Sequence, residues 1–121
     1  TPLFMPIKIA VIGVMMNIKG GNGAIAQLHL IEKDDMAGYA RHCVVMTVNP
    51  GCSIGLHDHP DEAEFFYMLE GELVTHCDCQ DIPFLPGDVS FTTGEGNMHR
   101  LENVSDKPAK VLAIVMTHTN S

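Results

Sequence analysis

Short runs in which apolar and polar residues alternate recur along the chain, and turn-forming residues separate them. Alternation with a period of two is typical of β-strands that bury one face. Turns between these runs are marked by Pro50-Gly51, Gly71, Pro83 and Pro86-Gly87. The predicted strands cover residues 24–32, 41–49, 64–70, 72–77, 89–92, 98–103 and 110–117. About eight short strands without a long helical segment predict an all-β sandwich or barrel.

The chain begins with an apolar run, in which residues 3–16 read LFMPIKIAVIGVMM. This run is too short for a transmembrane helix. It also lacks the preceding basic region and the usual cleavage site of a signal peptide, so a β-strand is the favoured interpretation. We therefore expect residues 1–17 to form an N-terminal extension or an edge strand, and residues 18–121 to form one domain.

Composition and charge narrow the range of partners. The 121 residues carry a formal net charge of −8, with only seven Lys and Arg. Because phosphate binding needs a basic surface, this balance argues against nucleic acid and anionic membranes. The four cysteines, Cys43, Cys52, Cys77 and Cys79, have neither the density nor the spacing of a disulfide framework. A reducing compartment, and hence the cytoplasm, is the expected location.

Four side chains are candidates for a metal site. His57 and His59 are two residues apart, a spacing that points both imidazoles to the same face of an extended strand. A turn through residues 60–63 could return the carboxylate of Glu64 to the same place. His99, far along the chain, is a plausible fourth ligand from a neighbouring strand. A histidine pair by itself is weak support, because such pairs also occur by chance.

The spacing around these residues is more informative. Gly51, His57, His59, Glu64 and Gly71 fit the pattern G-x5-H-x-H-x4-E-x6-G without a gap. This pattern is the first motif of the cupin superfamily, which the sequence therefore resembles.

A second cupin motif, G-x5-P-x-G-x2-H-x3-N, resembles the segment from Gly87 to Asn103. Gly96, His99 and Asn103 keep the required spacing, whereas one extra residue follows Gly87 and Gly94 stands in place of the proline. The turn before His99 is therefore expected to differ in shape. Together the two motifs extend over nearly half of the chain.

The resemblance implies a cupin double-stranded β-helix, or jelly-roll, barrel with one divalent transition metal inside. His57, His59, Glu64 and His99 would line the interior as ligands. Three imidazoles and one carboxylate suit Mn, Fe, Ni, Cu or Zn and are too rich in nitrogen for Ca or Mg.

The resemblance leaves the reaction open, because cupins carry many chemistries on one fold. The leading hypothesis is a metalloenzyme that acts on a small oxygenated organic substrate, of the dioxygenase, isomerase or decarboxylase type. The alternative is a non-catalytic module that binds or senses a small ligand. We also expect a homodimer, which edge strands could form.

Several neighbouring residues complete the predictions for the site. If Glu64 points inward, the period of a strand sends Phe66, Met68 and Glu70 inward too. Glu62 has the same parity and is the alternative carboxylate ligand.

The other four histidines are interpreted as surface or hydrogen-bonded residues; they are His29, His42, His76 and His118. His42 and His118 would be the first of them to be added to a pocket. Cys52 and the pair Cys77 and Cys79 are interpreted as structural or incidental.

Overall fold

The structure is a computed structural model, and it describes residues 11–16, 24–55, 61–77, 80–93 and 100–117. Almost all of these residues lie in β-strands and the turns between them, with one short 3₁₀ turn at Lys33–Met36. The strands are β1 (Val11–Met16), β2 (Ala24–His29), β3 (Ala40–Val48), β4 (Ser53–Gly55), β5 (Glu62–Glu70), β6 (Leu73–Cys77), β7 (Gln80–Phe84), β8 (Val89–Thr93), β9 (Arg100–Glu102) and β10 (Ala109–Thr117). The all-β prediction is confirmed.

The strands form two antiparallel sheets. A six-stranded sheet has the order β1-β2-β3-β10-β5-β8, and a four-stranded sheet has the order β4-β9-β6-β7. The C-terminal strand β10 lies at the centre of the larger sheet, between β3 and β5. The chain therefore crosses repeatedly between the sheets, and strands distant in sequence become neighbours.

The core consists of the apolar side chains that the two sheets direct towards each other. Alternate residues of β3 and β10 are buried, as expected for strands with one covered face. We call the face of the six-stranded sheet that carries these side chains its inner face. The buried core cluster is Ile25, Val44, Met46, Val48, Ile54, Phe66, Met68, Leu73, Phe84, Leu101, Ala109, Val111 and Ala113.

Two strands were missed by the sequence pattern. β4 has three residues and is too short to show a period. β7 contains Pro83, which the pattern indicated as a turn, but Pro83 is paired with Val74 of β6. β7 ends the four-stranded sheet within the described residues, and an edge strand tolerates proline because its outer N–H groups need no partner.

The leading apolar run contributes to the larger sheet. Val11–Met16 form β1, which pairs antiparallel with β2 at the end of that sheet. The proposed boundary between residues 17 and 18 stays a prediction. No helix among the residues that the structure describes is long and apolar enough to cross a membrane.

Candidate functional site

Glu64 is a buried carboxylate on the inner face of the six-stranded sheet. Glu64 is 8% exposed to solvent. Phe66 and Met68, the next residues with the same parity on β5, are 3% and 0% exposed. The predicted inward direction of Phe66 and Met68 is therefore confirmed. A carboxylate in such surroundings needs hydrogen bonds or a positive charge to offset its lost hydration. The condition under which these directions were predicted, an inward Glu64, is therefore met.

The prediction that Glu70 also points inward is wrong. The pairing between β5 and β10 passes from Val111 opposite Met68 to Lys110 opposite Glu70, which leaves Leu69 as an extra residue. A β-bulge of this kind interrupts the alternation of the strand. Glu70 is consequently exposed, opposite the exposed Lys110.

The other three predicted ligands, His57, His59 and His99, lie outside the described residues. The strands next to them in sequence are described: Gly55 at the end of β4 is paired with Arg100 at the start of β9. Within the described part of the chain, no three His, Cys, Asp or Glu side chains are grouped so that they could hold a metal ion. Glu64 is thus the one predicted ligand whose position is known.

A row of side chains crosses the inner face at the level of Glu64. Glu64 is paired with Thr92 of β8 on one side and with Val115 of β10 on the other. Val115 is in turn opposite the half-buried His42 of β3. His42 therefore shares the face and level of Glu64. Its ring centroid is 6.3 Å from that of His29 on β2.

Glu62, the alternative carboxylate ligand, is engaged elsewhere. The Nε and Nη2 atoms of Arg41 donate hydrogen bonds to the two carboxylate oxygens of Glu62, the second at 3.0 Å. Bidentate pairs of this type are the stronger kind of charge-assisted hydrogen bond. The carboxylate of Glu62 is thus already occupied by Arg41.

Gln27 was not anticipated from the sequence. It lies on β2 opposite Met46 and is 5% exposed, and its Oε1 atom is buried without a hydrogen-bond partner among the described residues. A buried carbonyl without a partner costs about 1–3 kcal/mol. The signal in the sequence was the alternation of Ile25, Gln27 and His29, which assigns a polar amide to the same face as the buried Ile25.

Asn103, the last residue of the second motif, has a structural role. Its side chain is fully buried and its Nδ2 donates to the carbonyl oxygens of Val48, at 2.8 Å, and Lys107, at 2.7 Å. Its Oδ1 accepts hydrogen bonds from the backbone N–H and the hydroxyl of Ser105. One amide thus joins the end of β3 to the connection between β9 and β10.

Cys43 and Cys52 are free thiols. Cys43 is buried, and burial raises the pKa of its thiol. Cys52 is half-buried and packs against the core, as its structural interpretation expects. Cys79 lies outside the described residues, and Cys77 ends β6.

Comparison with known proteins gives the family. The Cupin domain family matches residues 44–115, which is more than half of the chain. The protein therefore belongs to the cupins, and the jelly-roll prediction is confirmed.

Three relatives are informative. An oxalate-binding protein of Thermotoga maritima is 39% identical over 100 residues, which cover 83% of this chain and 82% of that protein. The tetracenomycin polyketide synthase protein TcmJ of Streptomyces glaucescens is 29% identical over 105 residues, covering 87% and 68% of the two chains. The crystal structure of a predicted oxalate decarboxylase from Thermotoga maritima has a TM-score of 0.79 and 36% identity, and covers 89% of this chain and 93% of that one.

Proposed function

We propose that the protein binds one divalent transition metal ion through His57, His59, Glu64 and His99. The observation that carries this proposal is the burial of the Glu64 carboxylate on the inner face. The ligand set suits Mn, Fe, Ni, Cu or Zn. The Oε1 atom of Gln27 is buried on the same face and has no hydrogen-bond partner among the described residues, which supports the binding of a polar ligand inside the barrel.

The ligand that we propose for this site is oxalate or another small acid of similar oxygen chemistry. The relative at 39% identity is named for binding oxalate. A bound divalent ion would supply a Lewis acid to which two oxygens of such an acid can bind. A local positive charge of this kind is needed because the chain as a whole carries a net charge of −8.

The alternative is catalysis at the same site, which would make the protein a metal-dependent oxidoreductase or isomerase of the dioxygenase, isomerase or decarboxylase type. The description of the similar crystal structure as a predicted oxalate decarboxylase favours this alternative. Decarboxylation would convert oxalate and a proton into formate and carbon dioxide, and therefore needs a proton donor. Glu62, the carboxylate nearest to Glu64 on β5, is held by Arg41 as a bidentate ion pair. Binding without turnover is the function that we favour, because the relative at 39% identity is named for binding oxalate.

The assembly that we propose is a homodimer in the cytoplasm. Tyr67, Leu69, Val89 and Phe91 are large exposed apolar side chains on β5 and β8, and Val89 is paired with Tyr67. Exposed apolar side chains grouped at the edge of a sheet support an interface with a second copy. The free thiols of Cys43 and Cys52 agree with a reducing compartment.

The experiment that tests the proposed function is calorimetric titration of oxalate into the protein loaded with Mn(II), beside the protein treated with a chelator. We expect binding by the loaded form and none by the stripped form. Formate and carbon dioxide are then measured after prolonged incubation with oxalate. Release of formate at many turnovers per site would establish the decarboxylase alternative, whereas the absence of oxalate binding in the loaded form would contradict both hypotheses.

A further inference from the structure

Arg41 extends from β3 towards the strand that carries Glu64. The pairing of β3 with β10 passes from Val115 opposite His42 to Met116 opposite Ala40, so Arg41 has no partner on β10. β-Bulges of this kind redirect the side chain of the extra residue. The bulge allows the guanidinium to reach past β10 and contact Glu62 on β5.

The ion pair engages only part of the guanidinium. Glu62 receives hydrogen bonds from Nε and Nη2, which account for two of the five N–H donors of an arginine. Among the described residues, the guanidinium of Arg41 donates hydrogen bonds to Glu62 only. The remaining fork, formed by Nη1 and the second N–H of Nη2, faces away from this contact because the guanidinium is planar and rigid.

The pair lies beside the predicted metal ligand. Glu62 and Glu64 are two residues apart on β5, which separates their Cα atoms by about 7 Å on a strand. Side-chain exposure is 27% for Arg41 and 15% for Glu62, whereas Phe66, further along the same face, is 3% exposed. Arg41 and Glu62 are therefore more exposed to solvent than Phe66, which lies deeper on the same face.

The other arginine of the chain is placed differently. Arg100 is the first residue of β9 and precedes Leu101, which belongs to the buried core. Successive residues of a strand point to opposite faces, and the Nη2 of Arg100 donates to the hydroxyl of Ser53 at 3.1 Å. Arg41 is therefore the arginine that borders the inner face.

We propose that Arg41 is the residue that selects a dicarboxylate ligand, with Glu62 holding its guanidinium in position. This inference rests on the proposed function. Oxalate that binds a metal through one oxygen of each carboxylate keeps two outer oxygens in one plane, which is the arrangement that a guanidinium fork recognises. Glu62 takes two of the five N–H groups of Arg41, and the remaining ones are available to donate hydrogen bonds to these outer oxygens.

The test compares a ligand that has outer oxygens with a ligand that lacks them. Oxalate and acetohydroxamate, a chelator without such oxygens, are titrated calorimetrically into Mn(II)-loaded wild type, Arg41→Gln and Arg41→Lys. Lys110→Gln is the matched control, because it removes one positive charge from an exposed position at the other end of β5 and β10. A double variant, Arg41→Gln with Glu62→Gln, removes both charges of the pair and so leaves no uncompensated carboxylate.

We expect Arg41→Gln and the double variant to bind oxalate at least tenfold more weakly than wild type, the loss typical of a charged hydrogen bond. The affinity of Arg41→Lys for oxalate should lie between the affinities of these variants and of wild type. The affinity of Lys110→Gln should stay within about twofold of wild type. Acetohydroxamate should bind all variants about equally. Equal oxalate binding by Arg41→Gln and wild type, or a parallel loss for both ligands, would overturn the inference alone. A wild type that takes up Mn(II) but no oxalate would overturn the proposed function, and this inference with it.

Discussion

Replacement of Asn103 by alanine removes the side chain with the most hydrogen bonds described in the interior. Four bonds disappear, two donated to the carbonyls of Val48 and Lys107 and two accepted from Ser105. Each is worth about 1 kcal/mol in net stability, so Asn103→Ala should lower the free energy of unfolding by about 4 kcal/mol. A loss of that size in a domain of this length lowers Tm by roughly 15 °C.

Asn103→Asp separates the donors from the acceptors at nearly the same volume. It keeps the two bonds from Ser105 but turns a carboxylate oxygen towards the carbonyls of Val48 and Lys107, so the free energy of unfolding should fall by about 3 kcal/mol. Both variants are measured by urea unfolding followed by circular dichroism. Val104→Ala, at the exposed neighbouring position, is the control and should change the free energy by less than about 0.5 kcal/mol. Values for both Asn103 variants within 1 kcal/mol of wild type would refute this account of the second motif.

Three further predictions concern other parts of the fold. Gly71 has a φ of 79°, and a Cβ there would lie 2.7 Å from the carbonyl oxygen of Pro108, so Gly71→Ala should cost at least about 2 kcal/mol in urea unfolding. Gly51→Ala, with the same φ but no atom within 4 Å of the added Cβ, should cost only about 1 kcal/mol, and equal losses would exclude the close approach as the cause. Gln27→Met should raise the free energy of unfolding of the metal-free protein by about 1 kcal/mol, since it removes a buried carbonyl without a partner; a decrease in thermal stability would contradict this. Phe91→Lys should convert the proposed homodimer to a monomer in light scattering, and an unchanged mass would exclude this face as the interface.

The parts of the fold that the sequence predicted are those that depend on local pattern. The alternation on β5 identified Glu64, Phe66 and Met68 as one face, and burial agrees for all three. Pro83 was wrongly predicted to mark a turn. A strand can contain proline if it lies at the edge of a sheet, and the position of a strand in its sheet cannot be derived from the segment itself. β4, with three residues, is too short to carry a period.

The features of the site that were missed depend on contacts between distant segments. The bulge at Arg41 and the bulge at Leu69 are set by the register of β10 against β3 and β5. Neither register can be derived from the residues of one strand. The ion pair of Arg41 with Glu62, and the exposure of Glu70, both follow from these bulges.

The most direct test of the proposed metal site is elemental analysis of protein purified without a metal-affinity tag, for wild type, Glu64→Gln and the double variant His57→Ala with His59→Ala. Tyr39→Phe, at an exposed position, is the control. The account predicts about one Mn, Fe, Ni, Cu or Zn per chain in wild type and control, with little or none in the other two. No bound metal in wild type even after reconstitution, or undiminished metal in Glu64→Gln and the double variant, would contradict it.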